Sequence, residues 1–158
     1  MKKTVIALIV LLQFLSISAF ADIVANQKGK CGYTDENGTL VIPYKYDFIG
    51  QFNENGIARV RKGEKQGLVS TTGEEVLPCV YDLIDSFDQH GLAVITKGKV
   101  KGVVSSNGSV ILKPSYTEVS KFNGRGHAWV SLVKGKKTFY GIINKVQDNF
   151  SGKILKLS

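Results

Sequence analysis

Polar and apolar residues alternate from Ile57 to Lys62, with Ala58 and Val60 on one side and Arg59 and Arg61 on the other. Period two is the mark of a half-buried β-strand. The phase returns at Ala93 and Ile95, and again at Ala128 and Val130. A second strand is predicted at Thr39, Leu40, Val41 and Ile42, where branched residues follow Asn37-Gly38. Asn-Gly suits a two-residue hairpin, and Pro43 should end or kink the returning strand because proline has no N–H to give a ladder. Tyr46-Asp47-Phe48-Ile49 resumes extended structure, and Phe52 leads into a polar loop ending at Gly56. Nowhere do apolar residues keep helical spacing over a useful length.

These features recur. Gly32, Gly67 and Gly102 lie 35 residues apart, and the same step relates Gly38, Gly73 and Gly108, Tyr46, Tyr81 and Tyr116, Phe52, Phe87 and Phe122, and Gly56, Gly91 and Gly126. A fixed period of this size signals a tandem array. The expected fold is all-β: three antiparallel β-meander repeats of about 35 residues in a twisted open array, with a closed barrel or small propeller as the alternative. Basic turns separate the strands at Lys62-Gly63-Glu64-Lys65, Lys97-Gly98-Lys99 and Lys134-Gly135-Lys136-Lys137. The units span 32–66, 67–101 and 102–140, and 141–158 forms a cap. The third unit diverges, as edge units do: Lys113 takes the place of Pro43 and Pro78, Thr117 replaces Asp47 and Asp82, and Gly141 arrives 39 residues after Gly102. Phe139 and Tyr140 are read with the cap, and Ile154 and Leu155 as a last strand.

The beginning of the chain changes the setting. Lys2 and Lys3, an apolar run over 5–14 and Ala19-Phe20-Ala21 make residues 1–21 a secretory signal peptide, leaving 22–158 as the repeat domain. The expected location is periplasmic or secreted, with no membrane span after cleavage. Loss of Lys2 and Lys3 leaves 19 basic residues against 13 acids, a net charge of +6. For an exported protein that balance favours a protein partner or an anionic envelope polymer rather than nucleic acid. Lysines on strand edges also serve simply to prevent edge pairing.

An oxidising compartment makes a Cys31–Cys79 disulfide possible, closing a loop worth about 4 kcal/mol in the chain-entropy treatment. The repeat register argues against it, since Tyr44 is the counterpart of Cys79 and Gln66 that of Cys31. No C-x-x-C pair suggests thiol chemistry.

The chain resembles the WG-repeat family of bacterial β-repeat proteins through Val41-Ile42-Pro43 with Tyr46-Asp47, Val76-Leu77-Pro78 with Tyr81-Asp82, and Phe87, Gly91, Leu92, Ala93 and Ile95. The resemblance runs from about Lys28 to Asn144. It implies a β-repeat architecture suited to binding and brings no catalytic set. The tryptophan that names the family is Cys31, Gln66, Lys101 and Tyr140 here, while the glycine after it is kept.

Candidate chemistry is sparse. His90 and His127 fall near equivalent loops, and Asp82, Asp85 and Asp88 form a spaced acidic series, but neither has the ligand spacing of a zinc or calcium site. No catalytic, metal or cofactor residues are assigned. Arg59, Val94 and Trp129 occupy equivalent outward places, and Arg61 lies in the adjoining row; Arg59, Arg61 and Trp129 are the candidate partner-binding residues, being types that dominate interface energetics. A competing fate for Trp129 is to be covered by the insertion from Lys134 to Tyr140. The expected function is a non-enzymatic exported binding module, such as a periplasmic immunity or inhibitor protein. Its alternatives are a structural envelope protein binding peptidoglycan or lipopolysaccharide through the lysine turns, and an envelope hydrolase using the His90 and His127 loops.

Overall fold

The computed structural model describes residues 21–146 and 149–151. The leader assignment lies outside them, as do Ile154 and Leu155. Among the described residues, fifteen strands form four separate antiparallel sheets. The first contains β1 (Asp22–Ala25), β2 (Cys31–Thr34) and β3 (Leu40–Tyr46). The second contains β4 (Phe48–Ile49), β5 (Ile57–Lys62), β6 (Lys65–Ser70) and β7 (Leu77–Tyr81). The third contains β8 (Leu83–Ile84), β9 (Leu92–Lys97), β10 (Val100–Ser105) and β11 (Val110–Tyr116). The fourth contains β12 (Glu118–Val119), β13 (His127–Lys134), β14 (Lys137–Val146) and β15 (Asn149–Ser151). Strands pair in chain order within each sheet.

The all-β array of the sequence reading is therefore present, but its physical unit is offset. The second sheet begins at Phe48 in the first repeat and ends at Tyr81 in the second. Each sheet after the first has four strands rather than three, because the two-residue segments Phe48–Ile49, Leu83–Ile84 and Glu118–Val119 step out of the preceding sheet and found the next. No sheet closes on itself among the described strands.

The turns are also exchanged relative to expectation. The two-residue hairpins are the basic turns: Lys62 pairs with Lys65 around Gly63-Glu64, where Gly63 has φ of 62°. Asn37-Gly38 lies in a wider loop, in which Asp35 and Thr39 are joined by an N–H to carbonyl bond and the Gly38 amide returns to the Asp35 carbonyl. Three residues, with a glycine in the left-handed region, make that connection. The same loop recurs at Asn53, Ser70, Asp88, Ser105 and Asn123. In the Asn and Asp copies the leading side chain accepts further backbone N–H groups, as Asp88 does from His90 and Leu92.

Proline does not end its strand. Pro43 and Pro78 lie within β3 and β7, both sheet edges, where a missing donor costs no ladder bond. They belong to bulges: Cys31 pairs with Tyr46 and Tyr33 with Ile42, so two steps on β2 face four on β3. The bulge folds over the retained glycine. A Cβ on Gly67 would stand 2.6 Å from the Leu77 carbonyl oxygen, and one on Gly102 would stand 2.3 Å from that of Leu112. Glycine is thus kept even though tryptophan is lost.

Side-chain packing stacks the sheets in sequence. Ile42 and Tyr46 of the first meet Ile49, Ala58, Val60 and Val69 of the second. On the other face of the second sheet, Leu68, Leu77 and Tyr81 meet Ile84, Ala93, Ile95 and Val104 of the third. Leu92, Val94 and Val103 then meet Val119, Ala128, Val130 and Ile143 of the fourth. The middle sheets consequently bury both faces. The half-buried alternation expected for β5 and β9 becomes, at β9, four successive buried residues from Leu92 to Ile95.

Candidate functional site: the open face of the fourth sheet

The contacts between sheets define what the outward positions do. Arg59 Nη1 donates to the Ile84 carbonyl at 2.6 Å, while the Ile84 N–H donates to Gln66 Oε1 at 3.0 Å. Two side chains of the second sheet thereby satisfy both backbone groups of Ile84, on the strand that founds the third. Gln66 holds the family's tryptophan position. Its counterpart Lys101 pairs with Glu118 on the founding strand of the fourth sheet, and Cys31 packs into the core between the first two sheets. Outward residues and the tryptophan position are the grip by which each sheet holds its successor.

The step between sheets has its own fastening. Asp47 accepts from Lys30 in the first sheet's turn and from the Gly63 amide in the second sheet's hairpin, at 2.7 Å for the latter. Asp82 repeats this with Lys65 and Gly98. In both cases the lysine hydrogen bond, followed by the backbone amide, holds the carboxyl below the usual aspartate range. Thr117 substitutes its hydroxyl, accepting from the Val133 amide at 3.0 Å. Glu75 accepts from the buried Tyr46 hydroxyl at 2.7 Å and from Lys45, which lowers its pKa; burial first, then this carboxylate, pushes Tyr46 upward.

Placed against this scheme, the three residues expected to bind a partner separate. Arg59 is occupied between the second and third sheets. Arg61 is exposed on the same strand, opposite Gln66. Trp129 lies on β13 in the fourth sheet, where no further sheet covers it among the described residues, and it is 57% exposed. The insertion does not fold over it. Instead β13 and β14 each grow longer, pairing through Val133–Thr138 and Lys134–Lys137. Trp129 faces Ile142 across the ladder, and Ser131 faces Tyr140. Tyr140 is 52% exposed and Val133 48%. The result is an apolar face built on Trp129, Val133, Tyr140 and Ile142, of which Trp129, Tyr140 and Ile142 hold the positions by which the inner sheets grip a neighbour. Tyr140 was missed in the sequence because residues 139 and 140 were read as covering material; its equivalence with Gln66 and Lys101 was the available signal.

The remaining candidates have local explanations. Cys31 and Cys79 stand as free thiols on strands of two different sheets. Cys31 lies opposite Tyr46 on β2, whereas Cys79 belongs to the β7 bulge beside Gly67 in the next sheet. Burial raises the Cys79 pKa. His90 Nε2 reaches the Asn123 carbonyl at 3.0 Å and ties adjacent loops together. Asp82 and Asp88 serve their turns, and among the described residues no group of His, Cys, Asp and Glu could hold a metal ion. No helix among them is long and apolar enough to cross a membrane.

Stacked four-stranded meanders with recurrent grips define a tandem β-repeat protein. The family described as WG containing repeat matches residues 32–65, 67–100 and 102–136, and the chain belongs to it. Among curated proteins, none matches the chain at a significant level.

Proposed function

We propose that the protein is a non-enzymatic, exported binding module that docks a protein partner on the open face of its fourth sheet. The observation that carries this reading is the exposure of Trp129 and Tyr140 at positions that, in the second and third sheets, hold the next sheet. Aromatic side chains with large apolar area are the usual anchors of interfaces, and contiguous exposed apolar surface marks interaction sites. The partner is one that presents an apolar β-sheet face, because the inner copies of this surface receive rows of Ile, Ala and Val. An immunity or inhibitor role in the envelope is the form of this function that fits an exported module of this size. The signal-peptide pattern and the basic charge support the export assignment.

Trp129→Ser combined with Tyr140→Ser should abolish capture of the partner while leaving the melting temperature within a degree or two of wild type. Arg61→Glu should keep the partner. Retention by the double variant refutes the assignment of this face. Self-association through it, seen as a dimer lost in the same variant, would replace the foreign partner with a second copy.

A further inference from the structure

The opposite face of the same hairpin contains a cavity of about 300 Å³ lined by Tyr116, Val130, Leu132, Lys134, Phe139 and Tyr140. Its origin is a disagreement between the copies. Leu132 and Phe139 pair across β13 and β14 just as Lys62 and Lys65 pair at the end of the second sheet's hairpin. Counting from Val130 and Gly141 gives the same correspondence: Leu132 stands where the inner hairpins have Lys62 and Lys97, and Phe139 where they have Lys65 and Val100. In the second sheet Lys65 is consumed by Asp82. In the fourth, the apolar pair remains, and the lengthened hairpin moves its lysines outward to Lys134, Lys136 and Lys137. The step residue beside it is Thr117 rather than aspartate, so the carboxylate that accompanies the other two hairpins is missing here.

We infer that this cavity is a binding site for a small amphipathic anion, a medium-chain fatty carboxylate, with its chain against Leu132, Phe139 and Tyr116 and its carboxylate at Lys134. The volume is at the lower end of the roughly 300–1,000 Å³ typical of ligand pockets, which suits one short acyl chain and not a folded lipid. Charge selects the head group. Lys134 lines the cavity, Lys137 is its cross-strand neighbour, Lys136 is in the turn, and the nearby Glu118 is already paired with Lys101. An apolar pocket with a single convergent cation is built to orient an anion by its head. The site shares Tyr140 with the Trp129 face, and its acyl-binding wall of Leu132 and Phe139 lies on the other side of the sheet.

The test is calorimetric titration of the full chain with decanoate and, separately, decanol. Saturable one-to-one binding of decanoate is expected, with decanol at least fivefold weaker. The Leu132→Lys/Phe139→Lys variant places second-sheet residues, exposed at Lys62 and Lys65, in the half-buried cavity wall and should lose binding by tenfold or more. Lys134→Glu, a surface change that leaves the apolar wall intact, should weaken decanoate about tenfold and leave decanol unchanged. No saturable binding of decanoate overturns the inference, as does undiminished binding by the restored-lysine variant. Equal affinity for decanol, or an unchanged decanoate affinity in Lys134→Glu, overturns the assignment of the anion.

Discussion

Arg59 changes meaning between sequence and structure, and its removal distinguishes the two. As a surface binding residue it would be dispensable for folding. As the donor to the Ile84 carbonyl at 2.6 Å it holds the second and third sheets together. A hydrogen bond to a charged group contributes about 1.5–3 kcal/mol. Partial exposure of Arg59 lets water recover part of that, so Arg59→Ala should cost about 1–2 kcal/mol by the same scale. At about 2–4 °C per kcal/mol for a chain of this size, the melting temperature should fall by about 2–8 °C. Gln66→Ala removes the acceptor for the Ile84 N–H and should cost about 1 kcal/mol. Because both act on one residue, the double variant should depart from additivity by 0.5 kcal/mol or more. Urea unfolding of wild type, both single variants, the double variant and Arg61→Ala provides the cycle. A loss for Arg59→Ala no greater than for Arg61→Ala, which should stay within about 0.5 kcal/mol, refutes the clamp.

Gly102→Ala should destabilise by about 3 kcal/mol, the upper range for overpacking against backbone, since its Cβ would meet the Leu112 carbonyl oxygen at 2.3 Å and the Pro114 nitrogen at 2.8 Å. Gly63→Ala meets open space and should cost about 1–2 kcal/mol, the left-handed penalty alone, by the same unfolding assay. The lowered carboxyls of Asp47 and Asp82 stabilise the fold above the ordinary aspartate value, and that contribution is lost as the pH falls through their folded values. Acid unfolding should therefore steepen below about pH 4, and Asp82→Asn should flatten the change; an unaltered acid limb would contradict the lysine and amide contacts. Titration of the denatured, unreduced chain should find two thiols, with the pH profile of Cys79 reactivity in the native protein displaced above the ordinary thiol range.

Much of the fold was legible because its signals are local. Period-two strands, glycine turns and the 35-residue step each depend on nearby residues. The offset between repeat and sheet was not legible, since Asp47 and Asp82 look like ordinary turn residues until their two partners, one in each sheet, are known. Burial on both faces of β9 was likewise hidden: Val94 and Thr96 alternate with Ala93 and Ile95 without revealing that another sheet lies beyond. Trp129 was found because it differs from Arg59 and Val94 at one repeated position. Its exposure follows from its sheet being the last of the described stack, which no periodicity reports. The cavity needed two facts together, the longer hairpin and the exchange of Lys62 and Lys65 for Leu132 and Phe139.

Site-specific photocrosslinking in the producing cells tests the central claim most directly. A photoreactive side chain is placed in turn at Trp129, at Tyr140 and at Arg61, each in the full chain. The open-face account predicts one and the same protein adduct from positions 129 and 140, none from position 61, and loss of the adduct from position 140 when Trp129 is changed to Ser. Crosslinking from position 61 with none from 129 or 140 would contradict it.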